Sequence, residues 1–140
     1  MITEDYVSFE TAKLLKEKGF DEPYKVWYTE YTSVWGGDSL GDRKYIKIQF
    51  DDKNRFDESY KFLCYAPTLQ MAMKWLREVH NLCIEPYRTA CGYLYTISTI
   101  PYGSCKCNPK EGGDDEDSGQ WTTYEGACEA AIKYCLENLI

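Results

Sequence analysis

The sequence holds one histidine, His80, and no second imidazole to complete a relay. That removes most acid–base schemes, because histidine is the side chain whose ordinary pKa lies closest to neutral pH. Long hydrophobic runs are also missing. No apolar stretch approaches the roughly 20 residues of a membrane-spanning helix. The opening MITEDYVSFE is acidic and has no basic segment followed by an apolar run, so no export signal is expected. Phosphate-cradling loops are absent, since neither Gly36-Gly37 nor Gly112-Gly113 is followed by Lys-Ser/Thr or by suitably spaced glycine. Positive charge is in deficit, with 16 Lys and Arg against 23 Asp and Glu, net −7. Such a balance opposes a general phosphate-binding surface, and therefore nucleic acid as a partner.

What the chain has instead is rings. Thirteen Tyr, four Trp and five Phe make up 16% of its 140 residues, enough to ask where they all go. Seven cysteines without an export signal predict reduced thiols and a cytoplasmic protein, and the odd count leaves at least one unpaired. The length predicts one domain over residues 1–140 with a core that needs no staples.

Three segments share one helix-start pattern: a hydroxyl residue, a large apolar residue, Glu or Gln, any residue, then Ala, as the apolar face begins. They are Ser8-Phe9-Glu10-Thr11-Ala12, Thr68-Leu69-Gln70-Met71-Ala72 and Thr123-Tyr124-Glu125-Gly126-Ala127. In the first helix Phe9, Ala12 and Leu15 face inward, and Gly19 with Phe20 reads as a Schellman ending. The central helix runs to His80, with Leu69, Met73, Leu76 and His80 on one face, flanked by Ala72, Val79 and Cys83. The last helix, Thr123 to Leu139, turns Tyr124, Ala127, Cys128, Ala131 and Cys135 inward and pairs Glu129 with Lys133 outside.

Between the helices lie strand patterns: YKVWYTEYT, KYIKIQF (Lys44–Phe50) and YKFLCY (Tyr60–Tyr65) before the central helix, LCIEPYR and YLYTISTI after it. Pro86 makes LCIEPYR an edge or interrupted strand. The expected fold is α+β, an antiparallel sheet with three helices on one face. Its order is α-β-β-(β)-α-β-β-α, two ββα-like units after an N-terminal helix. Asn108 to Gly119, rich in acids and glycine, reads as a mobile loop.

The segments YVSFETAKLLKEKGFDE, APTLQMAMKWLREVHN and EAAIKYCLENLI resemble a family of short uncharacterised proteins that occur widely in gut Bacteroides genomes and their mobile elements or phages. The resemblance covers the three helices, whereas Tyr24 to Phe62 and Tyr102 to Gly119 are individual to this chain. It implies a cytoplasmic bacterial or phage accessory protein, and an inhibitor or sequestering protein of a host defence component or signal is one form this takes. It implies no reaction and no catalytic residues.

Two chemical candidates remain in the residues themselves. His80 and Cys83, three apart at a helix end, lack the signature of a nucleophile–base pair. With Cys105 and Cys107 they make a four-ligand N/S set suited to tetrahedral zinc, the alternative cofactor reading. Cys64, Cys128 and Cys135 read as buried thiols. The acids Asp114 to Asp117 do not follow a calcium-loop pattern and read as a solvated charge run.

The aromatic strands carry the main functional expectation. In Lys44–Phe50, Ile46, Ile48 and Phe50 face the helices, which leaves Tyr45 and Lys47 on the other side. Either Trp27 with Tyr31, or Tyr28, joins them there, and a one-residue register shift decides which. An uncovered ring-bearing face suits binding without catalysis: a homodimer first, otherwise a protein partner or a small planar ligand such as a nucleobase.

Overall fold

The computed structural model describes residues 1–22, 25–33, 43–50, 60–101, 103, 113–115 and 118–140. All three helix starts are capped as the shared pattern predicts. Helix α1 (Phe9–Glu17) begins where the Thr11 N–H donates to Ser8 Oγ at 3.3 Å. Helix α2 (Leu69–His80) begins where the Met71 N–H donates to Thr68 Oγ1 at 3.1 Å. Helix α3 (Tyr124–Tyr134) begins where the Gly126 N–H donates to Thr123 Oγ1 at 2.9 Å. Each hydroxyl satisfies a backbone donor that the helix itself cannot.

The endings follow local chemistry as well. Gly19, at φ +98°, lets the Phe20 N–H reach Leu15 O at 2.8 Å and its own N–H reach Lys16 O at 3.2 Å, the two bonds of a Schellman motif. Phe20 is thereby folded into the core against Trp75, 5.4 Å between ring centroids. Asn81 ends α2 in the left-handed region, at φ +56°. Beyond Tyr134, where a continuous α-helix was expected, residues Cys135–Leu139 form a π-helical turn.

The strands confirm the α+β class and the predicted order, including the optional third strand. They divide, however, into two sheets where one was expected. Strands β1 (Val26–Ser33), β2 (Arg43–Phe50) and β3 (Tyr60–Tyr65) form an antiparallel sheet in the order β2-β1-β3. Strands β4 (Leu82–Arg88) and β5 (Tyr93–Thr99) form a hairpin of their own, with Pro86 inside an unbroken β4. Trp121 adds a bridge to β5 through reciprocal bonds with Tyr93 of 2.8 and 3.1 Å.

The division has a physical reason at β3. Its outer side carries the bulged residue Leu63, whose carbonyl accepts from Lys16 Nζ of α1 at 2.8 Å. A bulge and a capping lysine both discourage a further strand. The corner that follows is occupied too: the Val7 N–H donates to Pro67 O, and the Leu69 N–H donates to Asp5 O, each at 3.0 Å.

The core sits where α2 and α3 cover the β4–β5 hairpin and α1 closes against α3 and β3. Leu15, Leu76, Ile97, Ile132 and Leu136 are its largest fully buried aliphatic side chains. Glu129 does not pair with Lys133. Its carboxylate takes donors from the start of α1, namely the Ser8 N–H (3.0 Å), the Ser8 hydroxyl and the Thr11 hydroxyl (2.6 Å). Lys133 turns to Glu10 at 3.0 Å. A carboxylate is better placed at a helix N-terminus, where donors and the helix dipole favour negative charge, than beside an exposed lysine.

Of the segment read as a mobile loop, 108–112 and 116–117 lie outside the described residues. The remainder is hydrogen-bonded. Asp114 accepts from the Thr122 N–H at 2.7 Å and from its hydroxyl at 3.1 Å, and the Gly119 N–H donates to Asp115 O at 2.8 Å.

Candidate binding face

The pairing of β1 with β2 sorts the sequence-predicted residues by face. Trp27 lies opposite Gln49, Thr29 opposite Lys47, and Tyr31 opposite Tyr45, so these side chains share one side of the sheet. Tyr28 falls on the other side, paired with Ile48. Its hydroxyl donates to Val7 O at 2.7 Å and its ring meets Phe9 edge-on at 5.5 Å, so it belongs to the core-facing side and not to the candidate face. Burial, then the charges of Glu129 and Cys64, push the Tyr28 phenol above its ordinary range. Trp27 is thus the residue that accompanies Tyr45.

Strand β3 adds two rings that sequence reasoning missed. The register slips between Tyr28 and Thr29, after which Thr29 lies opposite Phe62, while Trp27 lies opposite Tyr65. Simple alternation along YKFLCY puts Phe62 and Tyr65 on opposite sides, and the bulge at Leu63 brings them together. Their rings touch at 5.0 Å and 65°. A strand with an aromatic residue three positions from another was the only signal available.

Among the described side chains the resulting face carries five rings, Trp27, Tyr31, Tyr45, Phe62 and Tyr65, around Thr29, with Lys47 beside them. Tyr31 and Tyr45 are stacked, 5.3 Å apart with ring planes 27° from parallel. Thr29, at the centre, is buried and its hydroxyl donates to Lys47 O at 3.2 Å. The outer rings are open: Tyr45 is 41% exposed and Phe62 43%.

One expectation about the opposite side fails. Ile46 and Phe50 were predicted to pack beneath the helices, yet they are 50% and 51% exposed. Helix α1 packs on β3, and β2 is two strands further out, about 10 Å away at ordinary strand spacing. Only Phe50 gains a described ring neighbour, Tyr6 at 5.4 Å.

Of the four residues of the metal alternative, His80 and Cys83 are among the described residues. His80 packs edge-on against Trp75 at 4.6 Å, and the Cys83 thiol points to Glu85 Oε1 at 3.8 Å. Cys105 and Cys107 lie outside the described residues, among which no group of three or more potential ligands gathers. Cys64, Cys128 and Cys135 are all buried, as predicted. Burial pushes the Cys128 thiol up to about 11, against a smaller opposing hydrogen bond from Tyr124. A thiol held neutral in this way is a poor nucleophile.

No helix among the described residues is long and apolar enough to cross a membrane. Comparison with protein-family models, with curated proteins and with solved structures gives no match. Fold and face together define an α+β domain whose three-stranded sheet presents an outer surface with five rings among the described side chains.

Proposed function

We propose that this protein is a non-catalytic binding protein that acts through the five-ring face, and that a second copy of the chain is its first occupant. The observation that carries the reading is the convergence of rings from all three strands onto one side, with Tyr45 and Phe62 exposed at the two edge strands. Aromatic residues are enriched at interfaces because they bury much area at little entropic cost. The stack of Tyr31 on Tyr45 closes the gap into which a planar ligand would slide, which favours a broad protein surface over a nucleobase. The buried thiols support a reducing, cytoplasmic setting, where an accessory role of the kind the family resemblance implies would be exercised. A light-scattering dilution series tests the reading. The mass should fall from twice to once the chain mass of 16.3 kDa as the protein is diluted. A single-chain mass at every concentration would contradict it.

A further inference from the structure

We propose that the groove between α1 and β3 binds small amphipathic monocarboxylates, of the chemical class of medium-chain fatty acids. The acid group would lie between Lys13 and Lys16, and the apolar chain on Phe9, Leu63 and Cys64. These five residues and Glu17 line a groove of about 410 Å³, within the roughly 300–1,000 Å³ typical of small-molecule sites. The floor is apolar because the bulge in β3 turns Leu63 toward α1 beside the buried Cys64. Burial pushes the Cys64 thiol up, so it stays neutral and serves as lining.

The rim supplies the charge. Lys13 and Lys16 are three apart and so share one side of α1. Lys16 is held in place by its bond to Leu63 O at 2.8 Å and lies 6.0 Å from the Phe62 ring centre, which leaves further ammonium donors for a ligand. The Lys13 ammonium makes no hydrogen bond or ion pair with any other described residue. Glu17 stands on the same rim, so two cations face one carboxylate. That local balance suits a single negative charge better than a phosphate or a dicarboxylate. In a chain of net charge −7 an anion needs such a pair to approach at all. The groove's lining does not include Trp27, Tyr31 or Tyr45, and it meets the five-ring face only at Phe62, beside Lys16.

The test is a titration of the full chain with octanoate, below micelle-forming concentrations, followed by amide-resolved NMR, with octanol and octylamine as controls of equal length. Saturable shifts should centre on Phe9, Lys13, Lys16, Leu63 and Cys64. Octanol and octylamine should bind about tenfold more weakly, and Lys13→Glu should weaken octanoate about tenfold while leaving the melting temperature unchanged. Lys13→Gln, a milder change, should give a smaller loss and serves if the Glu variant folds poorly. The proposal is overturned by the absence of saturable shifts or by shifts centred elsewhere. Equal binding of octanol, or of octanoate by both Lys13 variants, overturns it too.

Discussion

Glu129 shows how one side chain can fasten two helices. Three donors from the first turn of α1 converge on its carboxylate, and the Thr11 hydroxyl among them is fully buried. Glu129→Ala should remove the carboxylate acceptor and leave that hydroxyl only the Ser8 hydroxyl, 3.2 Å away, costing about 1–3 kcal/mol in urea unfolding. The capping hydroxyls are worth less singly: Thr68→Ala and Thr123→Ala should each cost about 1 kcal/mol. If both prove neutral, the caps contribute nothing and the shared start pattern has another origin. Cys128 makes a pH prediction. Its folded-state pKa of about 11 lies above the ordinary thiol value of 9.0, so the folded chain binds the proton more tightly than the unfolded chain. Its contribution is therefore fully present below about pH 9 and is lost as pH rises toward 11. In the native protein at mild alkaline pH, thiol reagents should modify exposed Cys91 far faster than Cys128. Equal rates would show that the core around Cys128 opens readily.

At the scale of elements, the β5–Trp121 bridge offers a sharp test. A Cβ on Gly92 would stand 2.6 Å from Trp121 O, too close for any real contact, and the obstacle is backbone. Gly92→Ala should break the bridge and lower the melting temperature clearly, whereas a neutral substitution would mean that the bridge is dispensable. Helices were legible in the sequence because their signals are local: a hydroxyl cap, a 3.6-residue apolar period, a glycine ending. The division of the strands was not, because it depends on which edges are covered, and Lys16 and the Asp5–Val7 segment cover theirs from distant parts of the chain. The candidate face was half legible. Tyr45 and Lys47 follow from alternation, and the choice of Trp27 with Tyr31 over Tyr28 needed the register. Phe62 and Tyr65 needed the bulge, which breaks the alternation that sequence reading relies on. Glu129 was misread because its attraction lies in a helix start 121 positions earlier in the chain.

For the molecule as a whole, the three-stranded sheet extends past its helical support, and this overhang creates the surface on which the functional proposal rests. Tyr45 and Phe62 on one side, and Ile46 and Phe50 exposed on the reverse of β2, lie outside the helix-covered core. Disturbing the five-ring face should therefore affect association far more than folding. Tyr45→Asp puts a charge beside Tyr31 without removing a core contact, and its destabilisation should stay within about 1 kcal/mol, as for ordinary surface changes. The most direct test is the solution mass of the parent and of Tyr45→Asp by light scattering, at matched concentrations and with melting curves run alongside. The account predicts a dimeric parent and a monomeric variant with nearly the parent's melting temperature. A monomeric parent, or a variant that loses its mass only because it unfolds, would contradict it.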